Sequence, residues 1–164
     1  MPARALELLG ERWTLLIVRD AFYGVRRYSD FRAHLDAPRA VLSERLNHLT
    51  EAGVLRRVRY SQSPPRDEYV LTDAGREIWP SLLQLIRWAD RNLPVAGPCR
   101  IFRHAGDCGA EIDDTSNCSV CGPIALEDVE LTPGPGVNLS RTDPVSVALR
   151  DPHRMLAPLA SAQE

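Results

Sequence analysis

The chain contains no lysine, and all twenty of its basic residues are arginine. We read that bias as genomic base composition and attach no function to it, although guanidinium forks do suit phosphate. No apolar run approaches the ~18 residues that a spanning helix needs, so no membrane partner is expected. The opening residues Met-Pro-Ala-Arg-Ala lack the pattern of a secretory signal, and a cytoplasmic location is the expectation. Gly-x-Ser-x-Gly, a phosphate-binding loop and His-Glu-x-x-His are all missing, so the chain is not expected to be an enzyme. Cysteine is confined to positions 99, 108, 118 and 121. An overall excess of positive charge is absent too, the formal net charge being −2.

Charge is distributed unevenly. Between Arg26 and Arg66 lie nine arginines against four acidic residues, whereas acidic residues dominate after Ile101. A local basic patch is the electrostatic footprint of phosphate binding. Within it, 38–52 reads as a helix with two faces. Leu42, Leu46 and Leu49 form one apolar stripe, to be buried. Arg39, Ser43 and Asn47 recur at steps of four on another face, and these are side chains that pair with guanine, adenine or phosphate. A short helix precedes it, expected to be capped by Ser29 and carrying Phe31 and Leu35 at i and i+4. Asp36-Ala37-Pro38 connects the two, which makes a helix-turn-helix. Gly53 is the expected C-terminal cap. The alternation over 54–60 and 67–72 predicts two strands around the polar loop 61–66, a hairpin wing with Arg66 at its tip.

Residues 3–9 and 11–23 read as helix, interrupted at Gly10 and ended by Gly24. Thr72 is the expected N-cap of a helix running to about Asn92. Along it Leu82, Ile86, Ala89 and Leu93 follow a 4-3-4 spacing. That is more apolar surface than the end of so small a domain needs, and it favours a partner helix over packing on its own core.

These stretches resemble the HxlR-type winged helix-turn-helix transcriptional regulators of bacteria, within the MarR-like superfamily. The matching segments are 5–17, Arg27-Tyr28-Ser29-Asp30-Phe31, Val41-Leu42-Ser43-Glu44-Arg45-Leu46, Pro64-Pro65-Arg66-Asp67-Glu68-Tyr69 and Leu71-Thr72-Asp73-Ala74-Gly75. The resemblance spans roughly residues 3–94. It implies a homodimer joined by helix 76–93 and the N-terminal helix, with Leu6, Leu82, Ile86, Ala89 and Leu93 at the interface. Many members of this family sense oxidants through a cysteine just before the first helix, but no cysteine precedes Cys99 here, and the effector stays unassigned.

Residues 100–131 form a second unit. Cys118-Ser119-Val120-Cys121-Gly122 is the knuckle that wraps a thiolate-bound metal, and His104 with Cys108 completes a four-ligand set for one structural zinc. Cys99 is an alternative to His104. Reduced structural thiols or a knuckle held by packing alone are the other readings. The proline- and glycine-bearing stretch 132–164 lacks periodicity and is expected to be disordered.

The fold expected is therefore mainly α with a small β-hairpin wing: a winged helix-turn-helix over 1–94, a zinc-ribbon-like unit over 95–131, and a tail. The function expected is a homodimeric regulator that binds double-stranded DNA. Helix 38–52 would enter the major groove and the wing 55–72 would reach the flanking groove or backbone. The candidate contacts are Ser29, Arg39, Ser43, Arg45, Asn47, His48, Arg59, Gln62 and Arg66. The alternative is a winged-helix interaction module that binds no DNA, for which a neutral or apolar recognition face would be the signature.

Overall fold

In a computed structural model, which describes residues 2–93, 97–106 and 108–159, the leucine and aromatic stripes of the sequence converge on one continuous core. Helix α1 (Pro2–Leu9) stops at Gly10, and α2 (Arg12–Phe22) follows at once. The expected interruption is thus present. Helix α2 buries Ile17, Val18, Ala21 and Phe22, and Gly24 ends it with φ +88°. A β-carbon at Gly24 would lie 1.9 Å from the Ala157 carbonyl oxygen, so only glycine lets the C-terminal segment approach.

Helix α3 (Tyr28–Leu35) begins two residues earlier than a Ser29 cap implies. Its N-cap is Arg27, without a side-chain bond, and Ser29 lies inside the first turn. The expected Ser29 cap is therefore corrected: its hydroxyl meets Asp30 Oδ1 at 3.5 Å rather than a backbone N–H. Asp36 takes the left-handed conformation at the turn (φ 53°), a geometry that Asp tolerates better than most residues. Helix α4 (Arg39–Glu51) then buries Leu42, Leu46 and Leu49 completely. It ends in a doubly bonded cap: Gly53 N–H donates to Thr50 O at 3.1 Å and Val54 N–H to Leu49 O at 2.9 Å, with Gly53 at φ +72°.

Strands β1 (Leu55–Gln62) and β2 (Pro65–Leu71) pair antiparallel, Leu55 opposite Leu71. The hairpin is longer and its loop tighter than the alternation suggested. Arg66 pairs with Ser61 inside the ladder, so it sits below the tip and not on it. The wing is anchored at its base by Glu68, which lies 3.6 Å from Arg27 and 3.9 Å from Arg26, and by Tyr69 N–H donating to Arg26 O at 2.8 Å.

Thr72 is the N-cap expected, its hydroxyl accepting from Gly75 N–H at 3.0 Å. The helix it starts is short, however. Helix α5 (Asp73–Arg76) is followed by a separate α6 (Trp79–Asn92), because Pro80 has no N–H to continue the ladder and its ring would press on the carbonyl one turn back.

The remaining chain builds a three-stranded sheet in the order β3 (Arg100–His104), β4 (Val129–Pro133), β5 (His153–Arg154), with α7 (Pro144–Ala148) between the last two. Phe102 of β3 stacks edge-on against Trp79 at 5.2 Å, and Trp79 lies 5.2 Å from Phe22, so the second unit shares the core of the first. Up to residue 159 the tail is ordered rather than disordered. Val145, Leu149 and Met155 are buried, and Leu156 and Leu159 donate backbone hydrogen bonds to Phe22 and Gly24 at 2.9 and 3.0 Å. Residues 94–96, where the two expected units meet, and the last five residues lie outside the described residues.

Candidate nucleic-acid interface and metal cluster

The buried stripe of α4 fixes which side of that helix faces outward. Arg39, Ser43, Asn47 and His48 are exposed, as are Ser29 on α3 and Arg59, Gln62 and Arg66 on the wing. Arg45 is the exception. It is half-buried and paired with Glu44 at 3.2 Å, off the row that the other three make.

That row is held in place by residues the sequence reading passed over. The Tyr28 hydroxyl donates to the Arg39 carbonyl oxygen and accepts from Ser43 Oγ, both at 3.2 Å. Arg57 of β1 donates to the Asn47 side-chain oxygen, which ties the wing to α4. The alternation of β1 could have revealed Arg57, since it lies one pleat from Leu55 on the face that looks toward α4. Arg59 is engaged with Asp67 at 2.5 Å, and that contact holds the Asp67 carboxyl below its usual range. Arg39, Arg56 and Arg66 have no ion-pair partner among the described residues. The interface thus offers free guanidiniums at the helix start and on the wing, and neutral donors along the middle of α4.

Beneath it, Asp20 is fully buried between Arg19 Nη2 and His34 Nδ1, each at 2.7 Å. Burial alone would raise its pKa. The Arg19 guanidinium and the His34 hydrogen bond outweigh that and hold the carboxyl below its usual range. The Asp20–His34 contact fastens α2 to α3, the helix that precedes α4.

The face expected to form a dimer is only partly as anticipated. Leu82 is buried in the chain's own core, whereas Leu6 and Leu93 are exposed and Ile86 and Ala89 half-buried. Leu85 and Trp88, which the 4-3-4 spacing left out, are about half exposed at 49% and 52%. The side of α6 that carries Trp79, Leu82 and Leu83 is buried, which leaves Leu85 and Trp88 facing out.

The expected ligand set does come together. One donor atom from each of His104, Cys108, Cys118 and Cys121 lies within 4.8 Å of all the others. His104 Nδ1 is 3.1 Å from Cys108 Sγ, and Cys108 Sγ is 3.6 and 3.5 Å from the sulfurs of Cys118 and Cys121. Four thiolate or imidazole donors around one ion would sit about 3.8 Å apart for a bond length of ~2.3 Å, so this spacing suits a tetrahedral metal. The knuckle is built as its sequence implies. Cys121 N–H donates to Cys118 Sγ at 3.3 Å, while Cys118 and Gly122 exchange backbone bonds at 2.8 and 2.9 Å. The Cys121 N–H draws the Cys118 thiol down to about 6, and hydrogen bonding to Cys108 pushes Cys121 up to about 11. Cys99 stands apart, its thiol donating to Gly136 O at 3.3 Å, and so does not replace His104. Arg87 and Arg91 of α6 reach Asp114 at 3.4 and 3.5 Å, which clamps the cluster's loop to that helix.

Comparison with known proteins agrees with this geometry. The family model described as HxlR-like helix-turn-helix matches residues 8–96. An HTH-type transcriptional regulator of Mycobacterium tuberculosis is 47% identical over 135 residues, which is 81% of this chain and 85% of that protein. The HTH-type transcriptional regulator YvaP of Bacillus subtilis is 39% identical over 87 residues, 52% of this chain and 81% of that one. Among solved structures, the transcription factor PA1607 superposes with a TM-score of 0.60 at 33% identity, covering 77% of this chain and 89% of its own. The redox regulator HypR in its reduced form superposes with a TM-score of 0.52 at 30% identity, covering 56% and 93%. The two-faced helix behind a tight turn and the hairpin that follows it accord with the transcriptional regulators matched, and this chain belongs to the HxlR-like helix-turn-helix family.

Proposed function

We propose that this regulator binds its operator as a homodimer, with α4 in the major groove and the β1–β2 hairpin on the flanking groove or backbone. One observation carries the reading: Arg39, Ser43 and Asn47 form an exposed row on the helix whose opposite stripe, Leu42, Leu46 and Leu49, is fully buried. Arg39 and Asn47 carry the forks that discriminate guanine and adenine, and Ser43 contributes a small donor between them. Arg66, with Gln62 and Arg59, supplies sequence-independent contacts from the wing, and Ser29 and His48 flank the row.

The partner of α6 in this reading is the same helix of a second copy. Leu6, Leu85, Trp88 and Leu93 supply its apolar surface, with Ile86 and Ala89 between them. Two-fold symmetry then requires a pseudo-palindromic operator with half-sites one or two helical turns apart. In the same reading, His104, Cys108, Cys118 and Cys121 hold one zinc ion per chain. The metal would be a structural cross-link between β3 and the knuckle. Footprinting on the DNA upstream of the chain's own gene is the test. Two protected half-sites with that spacing are expected. A folded protein that protects no DNA, there or in a random-sequence selection, would replace this reading with that of an interaction module.

A further inference from the structure

A cavity of ≈ 250 Å³ lies where the C-terminal segment closes over α2 and α3. Four guanidiniums line it: Arg19 of α2, Arg100 of β3, and Arg141 and Arg150 on either side of α7. Tyr23, His34, Cys99, Asn138 and Ser146 add polar groups and Val137 an apolar one, and the lining contains no carboxylate among the described residues.

Two of the four cations are neutralised from outside the cavity. Arg19 is 2.7 Å from Asp20, and Arg141 is 3.0 Å from Asp143. The other two have no carboxylate partner among the described residues. Arg100 donates to the Leu149 carbonyl oxygen at 2.7 Å, and Arg150 donates to those of Leu139 and Arg141 at 3.0 and 2.9 Å. Carbonyl oxygens orient a guanidinium without cancelling its charge. Arg100 is also half-buried, and burial lowers its pKa, as expected of a cation withdrawn from water without a counter-ion. Burial pushes the Tyr23 hydroxyl up to about 12, so at neutral pH it is a neutral donor rather than an anion.

We propose that this cavity binds a small oxyanion, the carboxylate or phosphate group of a small molecule, with Arg100 and Arg150 as its principal charge partners. Guanidinium forks match the two-oxygen edge of either group. The volume, just under the ~300–1,000 Å³ usual for ligand cavities, fits the anionic group of a simple organic acid or phosphate ester. The site also touches the helices that seat α4. Arg141 donates to the His34 and Ala33 carbonyl oxygens at 2.7 and 3.4 Å, at the end of α3, and Arg19 shares Asp20 with His34. A ligand that recruits Arg19 or Arg141 therefore acts on the α2–α3 junction. That consequence rests on the DNA-binding reading above, whereas ligand binding does not.

The test is calorimetric titration of the full chain, free of DNA, with inorganic phosphate and separately with acetate, benzoate and succinate. Chloride at matched ionic strength is the control. Saturable binding in one arm is expected, and the arm that responds distinguishes phosphate from carboxylate. Arg100→Gln and Arg150→Gln should each weaken that binding at least tenfold. Because either substitution also removes a bond to backbone, the wild-type chain supplies a second readout: the bound anion should slow iodoacetamide alkylation of Cys99, and chloride at matched ionic strength should not. Absence of saturable binding in every arm overturns the proposal. So does binding that neither substitution weakens and that leaves Cys99 unprotected. Failure to bind operator DNA would sink the DNA reading and leave this one standing.

Discussion

Replacing Met155 with alanine tests whether the C-terminal segment is part of the folded core. Met155 is 1% exposed, and its N–H donates to Val129 O at 2.9 Å, so the substitution removes buried side chain and keeps the backbone bond. Truncating a buried Met to Ala costs ~2–5 kcal/mol. A loss of about 3 kcal/mol corresponds to a fall in Tm of roughly 6–12 °C at ~2–4 °C per kcal/mol for a chain of this size. Leu139→Ala is the matched control in the same segment. Leu139 is 63% exposed, so its truncation should cost under ~0.5 kcal/mol. Thermal unfolding followed by tryptophan fluorescence reports on the winged-helix core, because Trp79 is 3% exposed and stacks between Phe22 and Phe102. Met155→Ala should shift that fluorescence transition. A midpoint within about 1 °C of wild type, or a separate C-terminal transition that leaves the fluorescence untouched, would refute a shared core.

Three further outcomes follow from the geometry. Asp20→Asn should destabilise by about 3 kcal/mol, since it leaves Arg19 and His34 facing a neutral buried group. The folded carboxyl is held below its usual range, so its contribution is complete above the unfolded pKa of ~3.9 and is lost as pH falls through the lower folded value; urea midpoints from pH 6 to pH 3 should therefore decline more steeply for wild type than for Asp20→Asn. Protein purified without a tag should carry about one zinc per chain by elemental analysis, retained in Cys99→Ser and lost or weakened in His104→Ala; metal-free protein whose thiols all titrate freely would leave an unmetallated knuckle. Leu85→Asp should yield a folded monomer by sedimentation, whereas Leu82→Ala should lower stability by ~2–5 kcal/mol because that leucine is buried within its own chain; a dimeric Leu85→Asp protein would move the interface elsewhere.

The winged helix was legible because its signals are local. The leucine stripe of α4, the Gly53 cap and the Thr72 cap each depend on residues within one or two turns, and each is found as read. The His104, Cys108, Cys118 and Cys121 cluster was legible because the short Cys118–Cys121 spacing builds a knuckle by itself. What was missed depends on distant partners. Beyond β4, residues 134–159 contain only a five-residue helix and a two-residue strand, too short to show a period, and they are held by Val145, Leu149 and Met155 against a core assembled elsewhere. The outward stripe of α6 differs from the 4-3-4 set because Leu82 and Leu83 both turn into the chain's own core, which leaves Leu85 and Trp88 facing out. Tyr28 and Arg57, which hold the reading row, became visible only once α3, α4 and β1 were in contact.

The central claim is that α4 reads bases while the wing contacts backbone, and operator titrations of Arg39→Ala and Arg66→Ala over a salt series separate the two most directly. Arg39→Ala should cost ~1–3 kcal/mol and relax preference at one base position in each half-site. Arg66→Ala should weaken all sequences alike and make the plot of log affinity against log salt shallower by roughly one contact per subunit. A folded, dimeric Arg39→Ala protein with unchanged affinity and unchanged base preference would contradict the account.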